Sequence, residues 1–536
     1  MKLTRQSSLL LLSAIFLAGC GSTPQDTSSA ASSKDVATTS SAVTELTSEV
    51  EVSPRVELAN NYIEDNMGDV DNSLKPKFHC SPLIGWMNDP NGFSEYNGKF
   101  HLFYQYYPYD SVWGSMHWDH QTTTDFIKWT HEGVALAPDQ DYDCDGCFSG
   151  TAITEGDAHY LVYTSVVPGA QNQSVAYSTD GVIYQKNPGK NPILTGKDLP
   201  EGFSNADFRD PSIFKRDGKY YLLAGNADNK GNKQVIAFSS DSITEGWKYL
   251  GVTFARSDVG GIFECPDFIT IDGKDVLIAS PQQIARANDY EYQNSDSCVY
   301  KIGTFNPRTG RFLYQGSNSL EEFDKGFSFY APQTMTTSDG RAIMTAWMKS
   351  WSENNITRTD GWAGSTILPR ELSIKGDHIY QAPIRELANY FTNNVKHEEI
   401  VVENTTKDMA EMAGRSSSIT LEIDVNEASR AGVEVFKKGI ETTKIYYDSD
   451  EGVVVFDRNR CGSLLNGVRK AKVDPINGKI KLQIILDVSC CEVFINDGYY
   501  TMTGNIFADE EHTGVSLFAD GKATFSNVEY NQIVVE

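Results

Sequence analysis

Between residue 73 and about residue 392 the chain repeats one pattern: an apolar run, a tight turn containing glycine, and a second apolar run. Asn97-Gly98-Lys99 opens onto Phe100-His101-Leu102-Phe103-Tyr104, and Gly156-Asp157 onto His159-Tyr160-Leu161-Val162-Tyr163. Asp217-Gly218, Asp272-Gly273 and Asp339-Gly340 open three more runs in the same way. Asx-Gly pairs favour two-residue hairpin turns because both residues tolerate positive φ. The five turns recur about every sixty residues, the spacing of a supersecondary unit that must stack on its neighbours to bury its apolar face. Each unit supplies further strands, such as Ser174-Val175-Ala176-Tyr177-Ser178, Gln234-Val235-Ile236-Ala237-Phe238 and Trp247-Lys248-Tyr249-Leu250. Five units of about four strands predict a five-bladed β-propeller over residues 73–392.

From about residue 393 the period changes. Ile419-Thr420-Leu421-Glu422-Ile423-Asp424-Val425 and Cys491-Glu492-Val493-Phe494-Ile495 alternate apolar and polar positions, as half-buried antiparallel strands do. Further short runs, Val453–Phe456, Leu482–Leu486 and Val515–Phe518, are separated by Gly, Asp and Asn turns. Residues 393–536 therefore read as a β-sandwich, and the chain as all-β: a propeller followed by a C-terminal sandwich whose expected role is to stiffen it.

The repeat brings acidic residues into register. Asp89 in Trp86-Met87-Asn88-Asp89-Pro90-Asn91-Gly92, Asp210 in Phe208-Arg209-Asp210-Pro211 and Glu264 in Phe263-Glu264-Cys265-Pro266 each stand eight or nine residues before their turn glycine. Each therefore begins the first strand of its unit. Innermost propeller strands line one channel, so equivalent starts place the three carboxylates at one end of one funnel. Phe148-Ser149 and Tyr330 fall at the same level in the other two units.

Three acids in a narrow channel cannot titrate alike, because repulsion and burial raise some while hydrogen bonds lower others. Glycosidic cleavage uses such a split, with one carboxylate attacking and another group protonating the leaving oxygen. Asp89, in a turn rich in amides, is expected to stay ionised and act as nucleophile. Glu264, longer and beside apolar Phe263, Cys265 and Pro266, is the expected proton shuttle. Asp210 is expected to hold sugar hydroxyls, with neighbouring Arg209 keeping it ionised.

A net charge of -26 over 536 residues excludes a nucleic-acid surface on Coulomb grounds and favours a neutral substrate. The 26 Tyr, 26 Phe and 8 Trp suit stacking on sugar rings, although β-rich proteins use many aromatics in any case. No metal or other cofactor is expected: the three acids are too dispersed for a calcium loop, and Cys144-Asp-Gly-Cys147 is a lone pair where zinc takes four ligands. The remaining cysteines, Cys80, Cys265, Cys298, Cys461, Cys490 and Cys491, repeat no disulfide framework.

The first residues read as a targeting segment. Lys2 and Arg5 precede the apolar stretch Leu9–Leu17, and Leu17-Ala18-Gly19-Cys20 ends it. That ending resembles the lipobox of bacterial lipoproteins, which implies a signal peptide over residues 1–19, a lipid on Cys20, and a protein anchored to the bacterial cell envelope by its acyl chains. Residues 20–72, rich in Ser, Thr, Ala and acids, are expected to form a disordered spacer.

The propeller motifs together carry a family resemblance. Trp86–Gly92, Phe100–Gln105, Trp113-Gly114-Ser115-Met116-His117-Trp118, Phe148-Ser149-Gly150, Phe208–Pro211, Glu264-Cys265-Pro266-Asp267, Tyr330-Ala331-Pro332-Gln333 and Leu368-Pro369-Arg370-Glu371-Leu372 resemble glycoside hydrolase family 32. The resemblance implies a five-bladed propeller joined to a β-sandwich and retaining hydrolysis of β-fructofuranosides. It implies that Asp89 is the nucleophile, Glu264 the general acid/base and Asp210 the transition-state stabiliser. It further implies that Trp86, Asn88, Gln105, Trp113, Phe148, Ser149 and Arg209 line the fructose pocket.

One departure stands out: where many relatives carry Asp-Phe-Tyr-Ala, this chain has Ser328-Phe329-Tyr330-Ala331, which alters the leaving-group side. Export favours sucrose or fructo-oligosaccharides over a phosphorylated sugar. The expectation is a β-fructofuranosidase, with an exo-levanase, an inulinase, a transfructosylase or a non-catalytic glycan-binding lipoprotein as the alternatives.

Overall fold

A computed structural model describes residues 52–187, 189–315 and 319–536. The expected signal peptide, the lipidation site Cys20 and most of the expected spacer lie outside the described residues.

Five antiparallel sheets follow one another along the chain. Their innermost strands are Gly85–Tyr96, Gly146–Glu155, Phe203–Arg216, Phe263–Ile271 and Tyr330–Thr336. Each packs against the inner strand of the next blade, and the fifth packs against the first, which closes the propeller. The predicted turns are present: Asn97-Gly98, Asp217-Gly218 and Asp272-Gly273 all hold positive φ at both residues, the geometry that matches strand twist in a two-residue hairpin. The short strand Trp362–Ala363 pairs in parallel with Gly85-Trp86 and adds a fifth strand to the first blade.

Buried and half-buried side chains stitch the inner strands together just below the funnel. Asn91 Oδ1 accepts from Gly150 N at 3.1 Å, and Gln333 Nε2 donates to Gly150 O at 2.7 Å. Thr151 Oγ1 donates to Pro211 O at 3.0 Å, Ser212 Oγ to Asp267 Oδ1 at 3.1 Å, and Thr334 Oγ1 to Asp267 Oδ2 at 2.6 Å. Each links one blade to another, so the belt satisfies groups that burial would otherwise penalise and fixes the blades' relative height.

The sandwich is built differently from the row of separate short strands that its sequence predicts. Three long strands, Phe391–Asp408, Ser416–Lys438 and Gly514–Ile533, run through both layers. The first half of Ser416–Lys438 pairs with Lys479–Asp487 and the second half with Glu441–Asp448, while Gly514–Ile533 follows it on the other side throughout. Register shifts between Asp424 and Glu427 and between Ala428 and Arg430 mark where the strand leaves one layer for the other. The two layers are thus one sheet folded over a single core that includes Ile419, Ile423, Val433, Val435 and Phe456.

The expected spacer needs a correction at its end. Residues Pro54–Asn66 form a helix, with Ser53 Oγ accepting from Arg55 N at 3.3 Å and proline in its first turn. Val56, Ala59 and Ile63 are buried, and Asn60 Oδ1 accepts from Val134 N at 2.9 Å on the first blade. Three apolar residues one helical turn apart make a face that composition alone does not reveal.

Candidate active site

The hydrogen-bond ladder of every inner strand breaks at the same level. Asn88-Asp89, Ser149, Asp210-Pro211, Cys265-Pro266 and Ala331-Pro332 are the residues skipped in the five registers. Proline stands in three of these breaks, and Pro90 borders a fourth, because it has no N–H to give a ladder. A bulge re-aims the side chains beside it, and here each one turns a polar group toward the channel. Asp210, Cys265 and Ala331 take positive φ (61°, 43° and 50°), a left-handed backbone that costs a non-glycine residue about 1 kcal/mol or more.

The three acids converge as predicted. Asp89 is 7% exposed, and its Oδ2 accepts from Ser149 Oγ at 2.9 Å and lies 3.5 Å from Cys265 Sγ. Its buried Oδ1 has no hydrogen-bond partner. Asp210 Oδ2 accepts from Cys265 N at 3.0 Å and lies 3.7 Å from the same thiol. Glu264 is held from both sides: Arg209 donates to Oε1 from Nη2 at 2.9 Å and Nε at 3.2 Å, and Tyr330 donates its hydroxyl to Oε2 at 2.7 Å.

Two expectations about charge are revised. Arg209 pairs with Glu264, while its Nε stands 3.9 Å from Asp210, because the strand start swings the guanidinium across to the next blade. Asp89 is not held low: burial first, and then the charge of Glu264, lift its carboxyl to about 6 against the hydrogen bond from Ser149. Asp210 is lifted too, by burial that Arg209 only partly offsets. Cys265, next to Glu264 in sequence, touches Asp89 and Asp210, and burial pushes its thiol up, so it remains protonated.

The residues expected around the acids are placed as follows. Trp86 Nε1 donates to Asn88 Oδ1 at 2.8 Å, which locks the amide beside Asp89. Gln105 is buried and donates to Cys147 O at 2.9 Å, fixing the backbone just before Phe148 and Ser149. Trp113 is 48% exposed and stands edge-on to Phe148 at 5.9 Å. Trp351 escaped the sequence reading; it is 39% exposed and stacks on Trp86 at 6.3 Å. The spacing Trp347-x-x-x-Trp351 after the fifth blade's second strand was the available signal. Among the described residues no group of three or more His, Cys, Asp or Glu is arranged to hold a metal ion.

The model of the glycosyl hydrolases family 32 N-terminal domain matches residues 79–383, and that of the family 32 C-terminal domain matches 386–532. The chain belongs to glycosyl hydrolase family 32. Among family relatives, the sucrose-6-phosphate hydrolase of Zymomonas mobilis is 32% identical over 483 residues, covering 84% of this chain and 91% of that protein. The raffinose invertase of Escherichia coli is 32% identical over 495 residues, covering 87% and 96%. A Bombyx mori family 32 β-fructofuranosidase, solved as a mutant in complex with sucrose, superposes with a TM-score of 0.78 at 32% identity, over 89% of this chain and 98% of that one. The exo-inulinase of Aspergillus awamori shares the fold with a TM-score of 0.74 at 23% identity, over 87% and 99%. The family 32 architecture, a five-bladed propeller with a sandwich-like C-terminal sheet, is the one described above, and the chain is accordingly a glycoside hydrolase of the invertase type.

One family 32 motif serves the fold and not the chemistry. Arg370, from Leu368–Leu372, is fully buried between propeller and sandwich. It donates to Glu492 Oε2 at 3.1 Å, Gln381 Oε1 at 2.8 Å, Thr501 Oγ1 at 2.9 Å and Asp324 Oδ2 at 3.2 Å. His79 completes this hub, bonded to Asp487 at 2.8 Å and to Glu492 at 2.9 Å.

Proposed function

We propose that the protein is a β-fructofuranosidase that removes terminal β-D-fructofuranosyl residues from sucrose and fructo-oligosaccharides with net retention. The observation that carries this reading is the arrangement at the funnel: a buried carboxylate with one oxygen unpartnered, beside a second carboxylate gripped by an arginine and a tyrosine. In this reading Asp89 Oδ1 attacks the anomeric carbon while Glu264 gives its proton to the departing glycosidic oxygen. The resulting ester is then cleaved by water, whose proton returns to Glu264. Arg209 neutralises Glu264 each time it becomes a carboxylate, and Tyr330 keeps it aimed. Asp210, fixed by the Cys265 N–H, accepts from fructosyl hydroxyls.

The family 32 relatives support the reading, since their names cover sucrose-6-phosphate hydrolase, raffinose invertase and levanase. Unphosphorylated substrates follow from the proposed export through the segment ending at Cys20. Purified protein incubated with sucrose should release equimolar glucose and fructose, and Asp89→Asn and Glu264→Gln proteins should not. Hydrolysis by both variants at the parent rate would remove the catalytic assignment. Failure of the parent on sucrose, inulin and levan alike would favour a glycan-binding role. For the anchor, cells fed a palmitate analogue should label the parent and not Cys20→Ala; equal labelling would contradict it.

A further inference from the structure

The loop 348–355, which carries Trp351, is tied to the sandwich at two points. Glu353 is a nearly buried carboxylate, 8% exposed, and its Oε1 accepts from Arg458 Nη2 at 2.8 Å and from Ser328 Oγ at 3.0 Å. Arg458 belongs to the sandwich strand Val453–Arg460 and lies over the Phe327 ring at 3.7 Å. Its Nη1 donates to Asn505 O at 2.9 Å, and Asn505 Nδ2 in turn donates to Met348 O at 2.7 Å. Within the loop Ser350 N donates to Glu353 Oε2 at 3.1 Å, and Lys349 Nζ donates to Glu353 O at 2.6 Å.

This network has the features of a brace. An exposed loop has no stiffness of its own and orders only if its groups are held, yet here its first carbonyl and its central carboxylate are both bonded to another domain. A buried arginine–carboxylate pair with further hydrogen bonds is geometrically specific, and breaking one side of it is costly. What it holds is Trp351, whose partly exposed indole stacks on Trp86 at 6.3 Å and meets Trp347 edge-on at 5.0 Å. Ser328, the third member, stands two residues before the Tyr330 that donates to Glu264, so the brace borders the side on which the protonated leaving group departs.

We propose that the sandwich sets how tightly the leaving-group side of the cleft holds its sugar, with Arg458, Asn505 and Glu353 acting as positioning residues for Trp351. The carboxylate absent at Ser328 is thereby supplied from another element, in a role of support. This inference rests on the β-fructofuranosidase reading for its substrate but not for its mechanics.

The test combines kinetics with hydrogen exchange on folded full-length variants. Trp351→Ala and Glu353→Ala should each raise KM for sucrose roughly tenfold with kcat within about twofold of the parent, the signature of lost uniform binding. The double variant should be no worse than either single one, because both remove the same placed ring. Glu353→Gln, whose amide oxygen still accepts from Arg458 and Ser328 on the Oε1 side while Ser350 N loses its acceptor, should recover part of the parent KM. Amides 348–355 should exchange faster in Glu353→Ala and in Arg458→Lys. Unchanged KM in Glu353→Ala, multiplicative effects in the double variant, or unchanged exchange would each overturn the proposal. If the parent proves inactive on every fructoside, the function reading fails, and the exchange measurement alone decides the brace.

Discussion

The funnel mouth and the propeller–sandwich hub are built from the same kinds of group, yet Asp89 in one and Glu492 in the other are shifted in opposite directions. Each gathers three carboxylates with one arginine: buried Asp89 and Asp210 and half-buried Glu264 with Arg209, and buried Glu492, Asp324 and Asp487 with Arg370 and His79. In the hub, burial would raise Glu492, yet Arg370 and His79 outweigh it and bring the carboxyl to about 2. At the funnel, Arg209 is taken up by Glu264, and burial lifts Asp89 to about 6. Full pairing yields a structural joint. Incomplete pairing leaves charge in a dry place where a substrate can use it, and the fold bears the cost.

Substitutions can break this comparison from either end. The largest expected effect is on rate: Asp89→Asn should lower kcat about 10^4-fold or more while the protein stays folded, and a loss below tenfold would deny it the part of nucleophile. Next, Arg370→Ala should cost about 3–5 kcal/mol of stability, because it strands Asp324 without a counter-charge and leaves Glu492 to His79 alone; denaturant unfolding would show it, and a change under 1 kcal/mol would refute the hub.

A smaller effect has the opposite sign. A carboxyl whose folded pKa exceeds its unfolded value binds more protons when folded, so stability falls as pH rises from about 4 through about 6. Asp89→Asn should therefore be more stable than the parent by up to about 3 kcal/mol at pH 8, from roughly two units at 1.36 kcal/mol each, with the gain gone at pH 4. Equal melting temperatures at both pH values would contradict the electrostatic picture. Smallest is the shift of a kinetic limb. The free enzyme's kcat/KM should fall as pH drops through about 6, well above the range of an exposed aspartate, and a limb below 4.5 would place Asp89 among paired acids like Glu492.

The legible parts of the molecule were those in which one local rule acts alone. Asx-Gly turns announce the blades because positive φ admits few residues, and an acid close to a proline announces the site because a proline in or beside the ladder interrupts it. The helix Pro54–Asn66 was lost in a polar stretch because three small or medium apolar residues carry its whole buried face. Of the long strand Ser416–Lys438 only Ile419–Val425 stands out, because bulges after Asp424 reset the alternation. Arg209 was assigned to its sequence neighbour, yet its partner lies 55 residues on, across a blade boundary. Glu353 shows nothing in a one-dimensional pattern, since its meaning lies in Arg458, and Trp351 leaves only its spacing from Trp347.

The central claim is that Asp89 becomes covalently fructosylated. It can be tested by treating the Glu264→Gln protein with β-D-fructofuranosyl fluoride, whose leaving group needs no acid, and mapping the quenched protein by mass spectrometry. A fructosyl ester should accumulate on the peptide containing Trp86–Gly92. A fructosyl group on any other acid, or release of α-fructofuranose with no adduct, would contradict it.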